Sequence, residues 1–128
     1  MNEAMNDTTV ITEEEFNLKD ELAHIDRDIK TAEAVVAKAD AYGRLLDHPD
    51  YQLVIEDGYA EGEMNRVVEM LSMPTYLKKD QEDALVTIMA HVRYFKAWAK
   101  YISEDGNLAE ENIEKLKDYR KEVTAGAN

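Results

Sequence analysis

Glu21 and His24 stand three residues apart in Glu21-Leu-Ala-His24. On a helix that spacing offers a carboxylate and an imidazole to one metal ion, the ligand pattern of di-iron bundles. Such a centre needs two of these pairs and two further inward carboxylates. Only one pair is present, and both its residues fall off the apolar seam described below. The stretch Asp57-Gly-Tyr-Ala-Glu-Gly62 raises a different possibility, a phosphate cradle. Phosphate loops need a third glycine after a strand, or a Gly-Lys-Ser/Thr ending. This stretch has neither, and its acidic neighbours repel phosphate. His48 precedes a proline and reads as a turn residue. His91 has no carboxylate at helical spacing. The Glu104-Asp-Gly-Asn107 region lacks the alternating acids of a calcium loop. No cysteine is present, so thiolate and disulfide chemistry are excluded. The expectation is therefore no catalytic residue, no cofactor-binding residue and no metal ligand.

What remains is architecture, and the pattern is helical. Thr12-Glu-Glu-Glu15 has the form of a capping box, and its acids suit a helix N-terminus. Apolar or small residues then fall at Leu18, Leu22, Ile25, Ile29, Ala32, Val36, Ala39, Gly43 and Leu46. The steps alternate four and three, which is a heptad seam. It thins toward Ala39 and Gly43, so a partner helix can approach closely there. The partner is either a helix of this chain or the same helix of another copy, and the narrow stripe favours contacts that include other copies. Leu18, Leu22, Ile25, Ile29 and Val36 are candidate protein-interface residues.

Asp47-His-Pro-Asp50 ends this helix, and Pro49 suits the first turn of the next. The second helix is expected over about 49–73, stopping before Pro74. Its opening run Tyr51-Gln-Leu-Val-Ile55 also reads as a strand, but the chain offers it no pairing partner. Gly58 and Gly62 lie one turn apart on this helix and are read as a site of close helix packing, in a continuous or gently bent helix. They lower helix propensity by about 1 kcal/mol each relative to Ala.

A third helix is expected over about 79–104. Leu85, Ile88, Val92, Phe95, Ala99 and Ile102 form its core stripe. Beside it runs His91, Tyr94, Trp98 and Tyr101, either further core or a binding surface. Tyr94, Trp98 and Tyr101 join the candidate interface, because Trp and Tyr are favoured at interface hot spots. Arg93, Lys96 and Lys100 form a basic edge. Gly106 reads as a left-handed stop, and Asn107 with Glu110 as a second capping box. A fourth helix is then expected over about 107–123, with Ala109, Ile113, Leu116, Arg120 and Val123 on one side. Residues 1–11 and 124–128 are expected to be loose ends. The expected fold is one all-α domain, a long coiled-coil-like helix and three further helices in an elongated bundle or hairpin.

The chain has 128 residues and a net charge of −13. Residues 1–65 carry 17 acids and 5 bases, a balance of −12, whereas the rest is nearly neutral. An acidic front half disfavours direct nucleic-acid binding and anionic membranes. No apolar run approaches a membrane span, and the N-terminus does not have the form of a signal peptide.

From Leu45 onward the sequence resembles a group of small helical proteins of tailed bacteriophages. The resemblance rests on Pro49, Asp50 and Tyr51, on Gly58 and Tyr59, and on Glu63, Arg66, Val67, Val68 and Pro74. Arg93, Phe95, Gly106, Ala109 and Glu110 complete it. His48 and Gly62 depart from the pattern, which has Asn and a larger residue there. The resemblance implies a virion component or assembly factor. Its partners would be further copies of itself and other virion proteins such as capsid or portal, in the virion or the host cytoplasm. The charge admits a second reading, a phage-encoded acidic inhibitor that mimics nucleic acid and occupies a host nucleic-acid-binding protein.

Overall fold

A computed structural model describes residues 12–73 and 77–126. Among the described residues all regular structure is helical. In chain order the elements are α1 (Glu13–Leu46), α2 (Pro49–Tyr51), a π-helix π1 (Gln52–Glu61), α3 (Gly62–Ser72) and α4 (Lys79–Gly126). The opening of α1 follows from its cap: Thr12 Oγ1 accepts the Glu15 amide at 3.1 Å. Glu13, Glu14 and Glu15 complement the positive helix end. His48 is more than a turn residue. Its Nδ1 accepts the Asp50 amide at 3.2 Å, so it caps the turn that Pro49 begins.

Two expectations about breaks are corrected. The second helix is continuous in sequence, but ten of its residues are wound as a π-helix. More sharply, no break separates a third helix from a fourth. α4 runs unbroken for 48 residues through Gly106 and Asn107, and no described glycine adopts positive φ. The residues 124–126 belong to this helix, while 1–11, 74–76 and 127–128 lie outside the described residues. The reason α4 continues is packing. Gly106 is buried, and a Cβ placed on it would collide with the Ala39 methyl. The glycine is there so that two helices can touch, and tertiary contact overrides its weak helix propensity.

The chain divides into two compact units: Met1–Ala34 with Leu108–Asn128, and Val35–Asn107. In the first, Ile25, Ile29, Ala32 and Ala109 are buried. Leu18, Leu22, Ile113, Leu116 and Val123 are half-buried. Two neighbours on α4 grip α1. Arg120 Nε donates to Asp26 Oδ1 at 2.8 Å, and the Tyr119 hydroxyl donates to the Glu21 carboxylate. Glu21 and Asp26 are five residues apart, about 140° around a helix of 3.6 residues per turn, so the two bonds hold opposite flanks of the seam.

The second unit has the denser core. Val67 and Val92 are fully buried, with Ala60, Leu85, Tyr42 and Ile102 close behind. The stripe Leu85, Val92, Phe95 and Ile102 faces this core as expected. Tyr42 and Tyr51 meet edge to face at 6.0 Å between centroids, and their hydroxyls lie 3.3 Å apart. Gln52 Nε2 donates to the Leu46 carbonyl at 2.8 Å, which ties the end of α1 to the start of π1.

Candidate functional site

Of the residues read as interface, the two groups have different fates. Ile25 and Ile29 are buried inside the chain's own first unit, and Leu18, Leu22 and Val36 are half-covered. The centre of the α1 seam is therefore no free surface. The α4 row is the opposite. Tyr94 is 73% exposed, Trp98 41% and Tyr101 58%. Steps of four and three put them on one strip of one helix. His91, in the same row, is exposed too.

The strip has a rigid centre. Trp98 lies 6.2 Å from Phe95 at 32° between planes, and Phe95 in turn meets Tyr59 edge to face at 5.5 Å. Lys38 Nζ sits 5.6 Å from the Trp98 ring centroid, within cation–π range. Trp98 is thus held by an aromatic neighbour and an ammonium, while Tyr94 and Tyr101 project on either side. Tyr and Trp in such a setting offer large contact area at small entropic cost. Arg93, Lys96 and Lys100 are exposed, and Lys100 makes a loose pair with Glu104 at 3.7 Å.

A shallow groove of about 390 Å³ lies in the same unit, between Tyr42, Glu56, Glu61, Phe95, Lys96 and Lys100. Glu56 and Glu61 line it from π1, and Lys96 and Lys100 from α4. Among its lining residues, the Tyr42 hydroxyl is pushed well above the ordinary tyrosine range. Burial is the main cause, and the bond to Tyr51 and the nearby Glu56 add to it. A tyrosine held protonated in this way is a hydrogen-bonding anchor, not a base.

The other candidates are occupied locally. Glu21 accepts from Tyr119, and His24 lies 3.5 Å from Asp28 one turn on. The Glu-x-x-His pair is thereby taken up within the unit. No group of three or more metal-ligating side chains occurs among the described residues. Gly58 and Gly62 do not receive another helix. The atoms a Cβ would meet there belong to their own helix: the Leu53 carbonyl at 3.1 Å and the Asp57 carbonyl at 2.8 Å. The close helix contact lies at Gly106 and Ala39. Arg66 grips Glu63 with two nitrogens at 3.1 and 2.9 Å, and that bond holds the Glu63 carboxyl below its ordinary range.

Lys38, Tyr42 and Tyr51 are the residues that sequence reasoning did not assign to a site. Lys38 and Trp98 are 60 positions apart, and no spacing rule links them. Tyr42 lies three residues after Ala39 of the seam, so its inward position was legible, but its hydroxyl partner was not. No protein-family model, curated protein or solved structure matches the chain.

Proposed function

We propose that this chain is a non-enzymatic structural or assembly protein of a tailed bacteriophage. It acts through helix-to-helix contacts with other copies and with virion proteins such as capsid or portal. The observation that carries this reading is the solvent-facing row Tyr94, Trp98 and Tyr101, fixed on an unbroken helix. Three large aromatic residues on one strip are what an interface core uses. The sequence resemblance from Leu45 onward supplies the phage context. No described helix is long and apolar enough to cross a membrane, which is compatible with a place in the particle or in the host cytoplasm.

Two measurements test this together. Mass spectrometry of purified phage particles, with copy number, is expected to find the chain in several copies. Mass photometry of the purified protein is expected to show oligomers that shift to monomer when Tyr94 and Trp98 are both replaced by Ala. A chain missing from particles and assembly intermediates, and monomeric at micromolar concentration, overturns the reading.

The acidic-inhibitor reading keeps one supporting observation. Glu13, Glu14, Glu15, Asp20, Asp26 and Asp28 are all exposed along α1, and spaced carboxylates can imitate phosphates. Capture of a host DNA- or RNA-binding protein from lysate, with release by moderate salt, would favour it over the structural role.

A further inference from the structure

The ten-residue π-helix turns a particular set of side chains inward. Tyr51 just before it and Ile55 and Tyr59 within it are half-buried at spacings of four, with Gln52 and Glu56 half-buried beside them, and Ala60 is buried. Leu53 and Val54 are left 67% and 62% exposed. An α-helical winding of the same residues gives a different set. With α3 held in place, the buried Val67 marks the core face. Leu53 lies about 3.9 turns before Val67 and would return to that face. Ile55 lies about 3.3 turns before it and Tyr51 about 4.4, so both would point away.

We infer that residues 52–61 form a register switch: the segment has two helical windings that exchange Leu53 for Tyr51 and Ile55 at the core. Each winding has its own reward. The π winding keeps the Tyr42–Tyr51 hydroxyl contact and edge-to-face pair, and it leaves two large apolar side chains in water. The α winding covers Leu53 and restores regular hydrogen bonds, at the expense of the tyrosine pair. Two packings of opposite merit in one segment are the material of a bistable element. π-helical turns often mark functional segments.

The glycines decide which winding is open. In the π winding the Gly62 amide is shared between the Asp57 carbonyl, five residues back, and the Tyr59 carbonyl, three back. A Cβ at position 62 would lie 2.8 Å from the Asp57 oxygen, closer than real Cβ atoms come. Gly58 is nearly as tight, at 3.1 Å from the Leu53 carbonyl. A side chain at position 62 therefore forces the backbone around Asp57 and Gly62 to shift, and the α winding is the regular helix it would shift toward. This is a use of the glycine pair that neither a phosphate loop nor a helix–helix contact anticipates.

The chain has no cysteine, so single thiols report the winding directly. Leu53→Cys, Val54→Cys and Ile55→Cys are each made in the parent and in Gly62→Ala, and labelled with a maleimide. In Gly62→Ala the thiol at 53 is expected to label at least tenfold more slowly than in the parent, and the thiol at 55 at least tenfold faster. Position 54 faces solvent in both windings and is the unchanged control. A Gly62→Ala protein that melts cooperatively but labels at 53 and 55 at parental rates refutes the switch. Should Gly62→Ala fail to fold, removal of Asp57 decides. Deleting one residue lets a straight α-helix keep the present inward set, so the thiol at 53 should stay within about twofold of the parent. A protected thiol at 53 in that variant refutes the switch as well.

Discussion

The two units of this chain use the same long helices and are held by different forces. In the unit Val35–Asn107, Val67 and Val92 have no exposed surface and Ala60 almost none. Aromatic contacts and a glycine–alanine approach close its core. In the other unit the seam of α1 and α4 is shallow, and much of its aliphatic lining is only half-covered. There the flanks are fastened by Arg120 on Asp26 and Tyr119 on Glu21. A pair of helices cannot enclose its apolar side chains as three or more segments can, so polar groups at the rim share the task. The lesson is that α1 and α4 are not uniform rods. Their local stability follows what lies across from them, residue by residue.

The sharpest way to break this contrast is Val92→Ala. It removes two methyl groups from a site without solvent and leaves a void. A loss of about 2–3 kcal/mol is expected in denaturant melts followed by Trp98 fluorescence. Because Trp98 is the single tryptophan, that signal reads the Val35–Asn107 unit. Equal protection loss in both units by hydrogen exchange would mean the division is not energetic.

Next in size is a pair of glycine replacements. Gly106→Ala forces a methyl onto Ala39, and overpacking is expected to outweigh helix propensity by about 1–2 kcal/mol. Gly43→Ala meets nothing within 4 Å and is expected to stabilise by up to about 1 kcal/mol. Thermal melts of the two should therefore move in opposite directions. A rise in both would remove the close-contact account of Gly106.

Thr12→Ala deletes the cap of α1 and is expected to weaken the Met1–Ala34 side by about 1 kcal/mol, seen as faster amide exchange over the first turns. The smallest effects belong to the rim. Arg120→Met should lower the melting point slightly in dilute buffer and hardly at all in 1 M salt, since the lost pair is exposed and screened.

Alkaline titration separates the units by cause. The Tyr119 hydroxyl is raised, first by its bond to Glu21 and then by that residue's charge. Tyr42 is raised mainly by burial. In both cases the folded value lies above the unfolded one, about 10. The stability they contribute is whole below that pH and drains as pH climbs through the folded value. Tyrosinate absorbance should show late titration of Tyr42 and Tyr119. Tyr119→Phe should remove the Tyr119 step, and high salt should lower exposed Tyr119 more than buried Tyr42.

Much of the helix pattern was legible in the sequence. The alternating steps from Leu18 to Leu46 gave α1, and the stripe from Leu85 to Ile102 gave the buried side of α4. The glycines were the weak point. Gly106 beside Asp105 and Asn107 has the form of a stop, and only the methyl of Ala39 across from it makes it a spacer. Gly58 and Gly62 have helix-contact spacing, and only the five-residue hydrogen bond at Gly62 reveals a different winding. In each case local propensity spoke for one conformation and a distant or unusual backbone contact chose another. The interface residues divided for a similar reason. A heptad step specifies a shared face and leaves open whether the chain itself covers it, so Ile25 and Tyr94 looked alike in sequence and are opposite in exposure.

The meeting of Ala39 and Gly106 also constrains how this sequence can drift. Where a methyl opposes a hydrogen, enlarging either partner alone pries the helices apart, and shrinking the alanine opens a gap. Neither site can change first without a penalty. In a mutational library both should therefore be less tolerant than their exposed neighbours, such as Asp40 and Asp105. Their shared intolerance would trace the line of contact between α1 and α4 without any further coordinates.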